Sequence, residues 1–295
     1  MSSTGRHTMS PAPPPATSGA KRPPVNPPAR NALDRFIRHF SYTAYVVAVV
    51  FLYAVGTTAL GLALAPALAL FSWLRDRSED LVPWARWAFL GTSLGVCFLV
   101  FGFTLLVVVP IYNLILPTRV KPFKGGYFTI AAVPFYLHNG LFYLVRYTFL
   151  PFVTLTPFGL FFLRAMGMKI GRRAFINTEY ISDPRLITLE DDAVLGGSVR
   201  IFAHYGGGGH FVIAPVVIGR GATVGLRATV MGDVQVGAGA TILPHSVLLP
   251  GSRVGEGETW GGVPARPIPA EEMAELKRVT RAVSTGAHDT RRRAD

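Results

Sequence analysis

The spacing of apolar and polar positions divides the chain into three regimes. From Tyr42 to Leu70, and again from Trp87 to Leu116, no charged residue occurs. Each run exceeds the roughly 20 apolar residues that a helix needs to cross hydrocarbon. Residues 34–126 therefore read as two transmembrane helices. Pro66 is placed to kink or end the first, and Pro117 ends the second. Trp73, Trp84 and Trp87 flank the connecting loop, where interfacial aromatics belong. Residues 127–168 are apolar but interrupted by Pro134, His138, Asn139, Arg146, Pro151 and Pro157. A spanning helix here would leave Arg146 in hydrocarbon, at roughly 3 kcal/mol. Interfacial or re-entrant helices are preferred over a further pair of spans.

The third regime has a period of six. From Ile218 to Thr259 the first position of each step is Ile218, Val224, Val230, Val236, Ile242, Leu248 and Val254. The fifth is Ala222, Ala228, Val234, Ala240, Ser246, Ser252 and Glu258. Gly219, Gly225, Gly237 and Gly255 follow the aliphatic residue. Neither a helix face nor an alternating strand repeats every six residues. A β-helix does, each step being a short strand and a turn. The aliphatic residue fills a narrow core, the fifth must be small, and glycine is expected to relax the corner. Leu189, Leu195 and Ile201 extend the register backwards, and Val212 and Val216 keep it. Ile170 and Ile176 look like a first, less regular coil. The period breaks around His204-Tyr-Gly-Gly-Gly-Gly-His210, so an irregular loop must leave one face. The glycine run is no phosphate loop, since no Lys-Ser/Thr follows it. The β-helix is expected over residues 169–268. A C-terminal helix and tail follow over residues 269–295, with Glu271 and Glu272 at the helix start. The fold class is a membrane α-helical N-terminal part, then an all-β parallel β-helix and a short C-terminal helix.

Composition changes the picture in one respect. Half the residues are hydrophobic and the mean hydropathy is +0.37, yet the formal charge is +12. No interleaved aromatic and basic motif accompanies that charge, so a nucleic-acid partner is set aside. The basic residues flank the apolar runs, before Tyr42 and after Leu116, while the connecting loop is nearly balanced. The positive-inside rule places the N-terminus and everything after Leu116 in the cytoplasm, with the bilayer being the plasma membrane. The single cysteine, Cys97, excludes an intrachain disulfide or a cysteine metal site. Residues 1–33 are rich in Pro, Ser, Ala and Gly and read as a disordered tail.

The run Val217 to Gly225, the later steps and the closing Gly262-Val-Pro-Ala-Arg266 resemble the hexapeptide-repeat (left-handed β-helix) acyltransferases. The stretches Arg164 to Arg173 and Ile181 to Ile187, then a lone histidine before an irregular loop, narrow the likeness. They resemble the membrane-anchored C-terminal region of poly-ε-lysine-synthetase-like nonribosomal peptide synthetases. This sequence then reads as a stand-alone version without adenylation and carrier domains. The resemblance implies a left-handed β-helix, acetyl-CoA or another acyl-CoA as co-substrate, no metal, and a homotrimer. It also implies a peptide synthetase or carrier protein as a partner. It implies that a histidine beside the loop is the general base, and His204 matches that position. Imidazole suits the task, since its pKa near 6.5 leaves it mostly neutral at cytoplasmic pH. His210 is the alternative base or a substrate contact. Asp183, about one coil earlier, is placed to orient the ring of His204, although an Asp-Pro turn also accounts for it. His245 reads as a structural turn residue. Gly225, Ala240 and Arg266 match donor-binding positions, Arg266 near the coenzyme phosphates, and β-helix packing accounts for the same residues. No His, Asp and Glu cluster has metal-ligand spacing.

Two functions fit. One is a membrane-anchored acyltransferase whose acceptor is a lipid-linked, surface-polymer or peptide hydroxyl or amine. The other is a non-catalytic β-helix used as an oligomerisation or docking module for a peptide synthetase or transporter, in which His204 is dispensable.

Overall fold

Two long helices lie side by side in the first part of the described chain. The computed structural model describes residues 41–275 except Phe128 and Gly209, together with Arg35, His39 and Arg278. The expected tail over residues 1–33, and the chain from 279 onwards, lie outside the described residues. Helix α1 covers Ser41–Arg77 and α2 covers Pro83–Ile115. Both are long and apolar enough to cross a membrane. Pro66 does not end α1, because the helix continues to Arg77. A missing amide bond is tolerated where neighbouring helices and side chains meet the freed groups. Val55, Ala59, Ala63 and Ala67 are buried at intervals of four, which lets the two backbones approach. The Tyr112 hydroxyl donates to Thr58 Oγ1 across the pair at 3.0 Å.

Three shorter helices follow: α3 (Val133–Thr148), α4 (Leu150–Val153) and α5 (Pro157–Ala165). Helix α3 runs antiparallel to the second half of α2. His138 Nδ1 lies 2.8 Å from Asn113 Oδ1. Eleven residues on, Phe149 packs where Gly102 lies, eleven residues back in α2. A Cβ at Gly102 would sit 2.0 Å from that ring. Phe98 and Phe103 hold Phe149, Phe152 and Phe158 edge-on at 4.8–5.6 Å. The Thr156 hydroxyl accepts from the Phe158 amide and caps α5. Helices α3 to α5 thus form a hairpin that runs to the middle of α2 and returns to the solenoid.

The remainder is a parallel β-solenoid with three walls. Regular coils repeat every 18 residues, as in Ile218↔Val236 and Val224↔Ile242. All seven first-position residues from Ile218 to Val254 are buried, and so are Ala222, Ala228, Val234, Ala240 and Ser246. In the last coil the fifth position, Glu258, is exposed. There Trp260 takes the aliphatic place, paired with Ile242, and Arg266–Pro267 folds back antiparallel over the edge. That closes the stack, and residues 270–275 begin the C-terminal helix.

The glycines have a different reason from the one expected. A Cβ at Gly225 would meet Ile242 O and Pro244 N at 2.7 Å. Glycine is needed there because the next coil passes so close. The left-handed corners fall elsewhere, at residues such as Gly221, Gly239 and His245.

Leu189 and Ile218 are neighbours although 29 residues apart, so this coil carries the insertion. The insertion is no irregular loop. It forms a hairpin of β2 (His204–Gly207) and β3 (His210–Ile213), and β3 pairs with β1 (Phe123–Gly125). Val212 therefore belongs to this antiparallel sheet and not to the solenoid register. The glycine run has a packing role as well: a Cβ at Gly206 would fall 2.3 Å from the Tyr127 hydroxyl.

Candidate active site

The site forms where the solenoid wall, the hairpin and α3 meet. The strand Ile181–Ser182 lies under Arg200–Phe202 of the next coil. Asp183 follows that strand with φ 59° and ψ 50° and opens a 3-10 turn, Pro184–Leu186. The Asp-Pro turn expected from sequence is thus present, and it aims the carboxylate inward. His204 opens β2 directly after the coil above. Its Nδ1–H donates to Asp183 Oδ2 at 2.6 Å. Because a carboxylate only accepts, this fixes a proton on Nδ1, so that in the neutral ring the lone pair lies on Nε2.

Asp183 is fully buried, whereas 24% of the His204 side chain is accessible. An unpaired buried carboxylate would be expensive. Asn139 of α3 meets that need: its Nδ2 donates to Asp183 Oδ1 at 2.6 Å, and its Oδ1 accepts from the Asp183 amide at 3.3 Å. The arrangement is a chain, Asn139 to Asp183 to His204, open only at Nε2. Phe135, Phe202 and Phe211 surround the imidazole with ring centroids 4.9–5.9 Å away. Tyr127 and Tyr136 extend the aromatic wall by stacking on Phe211. Burial and the nearby Tyr127 push the Tyr136 phenol above its ordinary value.

Phe135, Asn139, Tyr143 and Arg146 share the face of α3 turned towards the solenoid. The Tyr143 hydroxyl lies 3.0 Å from Ser182 Oγ. Arg146 Nη1 donates to Ile181 O and Ser182 Oγ at 3.4 and 3.3 Å. Its guanidinium stacks against Tyr143, Tyr147 and Tyr180. The hydrocarbon cost feared for Arg146 does not arise, since protein surrounds it. His138 is fully buried, and burial lowers its pKa to about 4. Asn139, which sequence reasoning noted merely as an interruption, is the residue it missed. Its signal was polar residues three or four apart in an apolar helix.

The other singled-out residues lie apart. His210 pairs with Gly207, three rungs along the hairpin from the His204↔Ile213 pair. That is roughly 10 Å at strand rise. Its Nδ1 contacts Gly208 O at 3.1 Å. Gly225 lies against the backbone of the next coil. Ala240 is fully buried, so its side chain faces the solenoid core and not a surface that a donor could approach. Arg266 is exposed and paired with Glu272 at 2.9 Å. Among the described residues no group of three or more His, Cys, Asp or Glu is placed to hold a metal ion.

No family model matches the chain. A delta-poly-L-ornithine synthetase of Acinetobacter baumannii is 28% identical over 116 residues. Those residues are 39% of this chain and 9% of the synthetase, so the chain spans about a tenth of that relative. Among solved structures, a hexapeptide-repeat acetyltransferase of Vibrio cholerae with acetyl-CoA is similar over 35% of this chain and 60% of its own, at 23% identity and a TM-score of 0.32. A maltose O-acetyltransferase of Clostridium difficile is similar over 50% and 92%, at 13% identity and a TM-score of 0.38. A serine acetyltransferase of Brucella abortus with coenzyme A is similar over 68% and 95%, at 15% identity and a TM-score of 0.30.

Proposed function

We propose that this chain is a membrane-anchored hexapeptide-repeat acyltransferase. It moves an acyl group, acetyl in the first instance, from acyl-CoA to a hydroxyl or amine. The observation that carries the reading is the half-open His204 held by a fully buried, amide-clamped Asp183. A structural histidine needs no such support, whereas a general base needs a fixed tautomer and a partner for the imidazolium.

Nε2 of His204 takes the proton from the acceptor O–H or N–H. The freed lone pair attacks the thioester carbonyl, forming the new O–C or N–C bond. Asp183 stabilises the imidazolium through Nδ1–H. As the tetrahedral intermediate collapses, the C–S bond breaks. The imidazolium returns its proton to the departing thiolate, so the base is ready again. Asn139 keeps the carboxylate aimed throughout.

The donor comes from the sequence resemblance. Arg266 is the residue suited to the coenzyme phosphates. Its pair with Glu272 is exposed and screened by solvent, so exchange for a phosphate is easy. Helices α1 and α2 cross the bilayer, and the flanking charges put the solenoid on the cytoplasmic side. The trimer stays an expectation of the resemblance.

Thiol release from acetyl-CoA by membranes carrying the full chain tests the reading. Release above that of control membranes, with coenzyme A binding by calorimetry, supports it. Absence of both rules out the coenzyme A donor and leaves a carrier-protein thioester donor or the docking module.

A further inference from the structure

We infer that the acyl acceptor is a membrane lipid whose phosphate-bearing headgroup carries the nucleophile. This rests on the acyltransferase reading and adds the substrate class to it. The argument begins with depth. Helix α2 serves as a ruler, at 1.5 Å per residue. Trp87 marks its far interface, and a hydrocarbon core of about 20 residues then ends near Val107. Asn113 lies about 9 Å beyond that boundary. His138 is level with Asn113 through their 2.8 Å contact. Phe135, a further 4–5 Å or so along α3, touches the His204 ring at 4.9 Å. The base thus stands roughly 10–15 Å outside the hydrocarbon, just beyond a headgroup layer about 5–8 Å thick. A nucleophile at the outward end of a headgroup that projects past its phosphate reaches the base while the acyl chains stay in the bilayer.

The hairpin tip holds the site at this depth. Phe149, Phe152 and Phe158 meet α2 at Phe98 and Phe103, inside the same boundary. Around them Tyr147, Phe152, Leu155, Phe158 and Phe161 are 51–69% exposed, continuous with the lipid-facing sides of α1 and α2. Acyl chains are the medium that suits that surface. The site therefore cannot swing away from the membrane while the tip stays seated.

The chemistry around the base fits the same molecule. Phe123 and His204 lie in register across the sheet, both paired with Ile213. Two strand spacings, about 10 Å, separate them. Lys124 is next to Phe123, and Arg119 and Lys121 lie between it and the end of α2, all exposed. Lys124 alternates to the sheet face opposite Phe123 and His204. Arg119 and Lys121, on the membrane side of the sheet, are therefore the cations suited to a lipid phosphate whose headgroup hydroxyl or amine reaches Nε2. The aromatic wall of Phe135, Phe211, Tyr127 and Tyr136 offers an apolar flank to an amphiphile. In the transfer, the headgroup proton passes to Nε2, an O–C or N–C bond forms, the C–S bond breaks, and the thiolate recovers the proton.

The test uses membranes carrying the full chain, acetyl-CoA labelled in its acetyl group, and the same membranes with His204→Gln. Products are partitioned between chloroform–methanol and water. The expected result is label in the organic phase, absent with His204→Gln. In detergent-dissolved membranes, inert detergent added at constant bulk concentrations should slow the reaction in proportion to surface dilution. Label among water-soluble molecules or on protein, or a rate indifferent to surface dilution, would overturn the lipid acceptor while leaving acyl transfer intact. No label anywhere and no thiol release would remove the acyltransferase reading, and this inference with it.

Discussion

At the residue scale, function turns on how Asp183 is held. Its two oxygens each take one donor, from His204 and from Asn139. Asp183→Asn would present an amide to Nδ1 and lose the fixed tautomer. Acyl transfer should fall about 10²- to 10⁴-fold, the usual worth of a general base, with coenzyme A affinity in calorimetry unchanged. Asn139→Ala removes a charge-assisted bond to the carboxylate, worth about 1.5–3 kcal/mol, together with the acceptor of the Asp183 amide, so a loss of about ten- to hundredfold is expected in the same assay. His138 brings a pH dependence of stability. Burial, more than the opposed influences of Asp183 and Arg185, holds it neutral in the fold until about pH 4, against 6.5 ordinarily. Between these values the unfolded chain binds a proton that the folded chain does not. Its contribution is whole above pH 6.5 and declines towards pH 4, by about 3 kcal/mol. Denaturant titrations at pH 7 and pH 5 should show the decline, and His138→Gln should flatten it. His204 and Asp183 were legible in the sequence because coil stacking relates residues about one turn apart. Asn139 was not, because its role depends on how α3 docks, 44 residues away from Asp183 in sequence.

At the element scale, the solenoid was the most legible part. A six-residue period has one physical solution, and the buried row from Ile218 to Val254 follows it. The glycine after each aliphatic residue was legible as a position but not as a reason. Gly225→Ala should destabilise the solenoid by about 1–3 kcal/mol, because the added methyl meets backbone that cannot shift alone. Thermal melting of the purified protein checks this. A corner-relaxing role would instead cost no more than the backbone freedom of one residue. The hairpin was hidden for a different cause. Its strands gain their third partner from Phe123–Gly125, so no local pattern at His204–His210 announces it. The same holds for α3, whose polar face looks like an interrupted span until the solenoid wall lies against it.

At the scale of the whole molecule, two long apolar helices, a short hairpin of helices and a solenoid share one packed core. The membrane part thereby shapes the site and does more than anchor it. Phe135 and Asn139 reach the imidazole and the carboxylate from α3, and α3 is positioned by α2. Gly102→Leu, far from the histidine, should displace Phe149 and lower activity as well as stability, read by thiol release and melting on the same samples. The central claim is that His204 and Asp183 act as one unit in acyl transfer. The most direct measurement is the thiol-release rate of wild type, His204→Gln, Asp183→Asn and the double variant in membranes. The account predicts that the double variant is no slower than His204→Gln alone, since a carboxylate without its imidazole has nothing to orient. Losses that multiply, or an Asp183→Asn enzyme as fast as wild type, would contradict it.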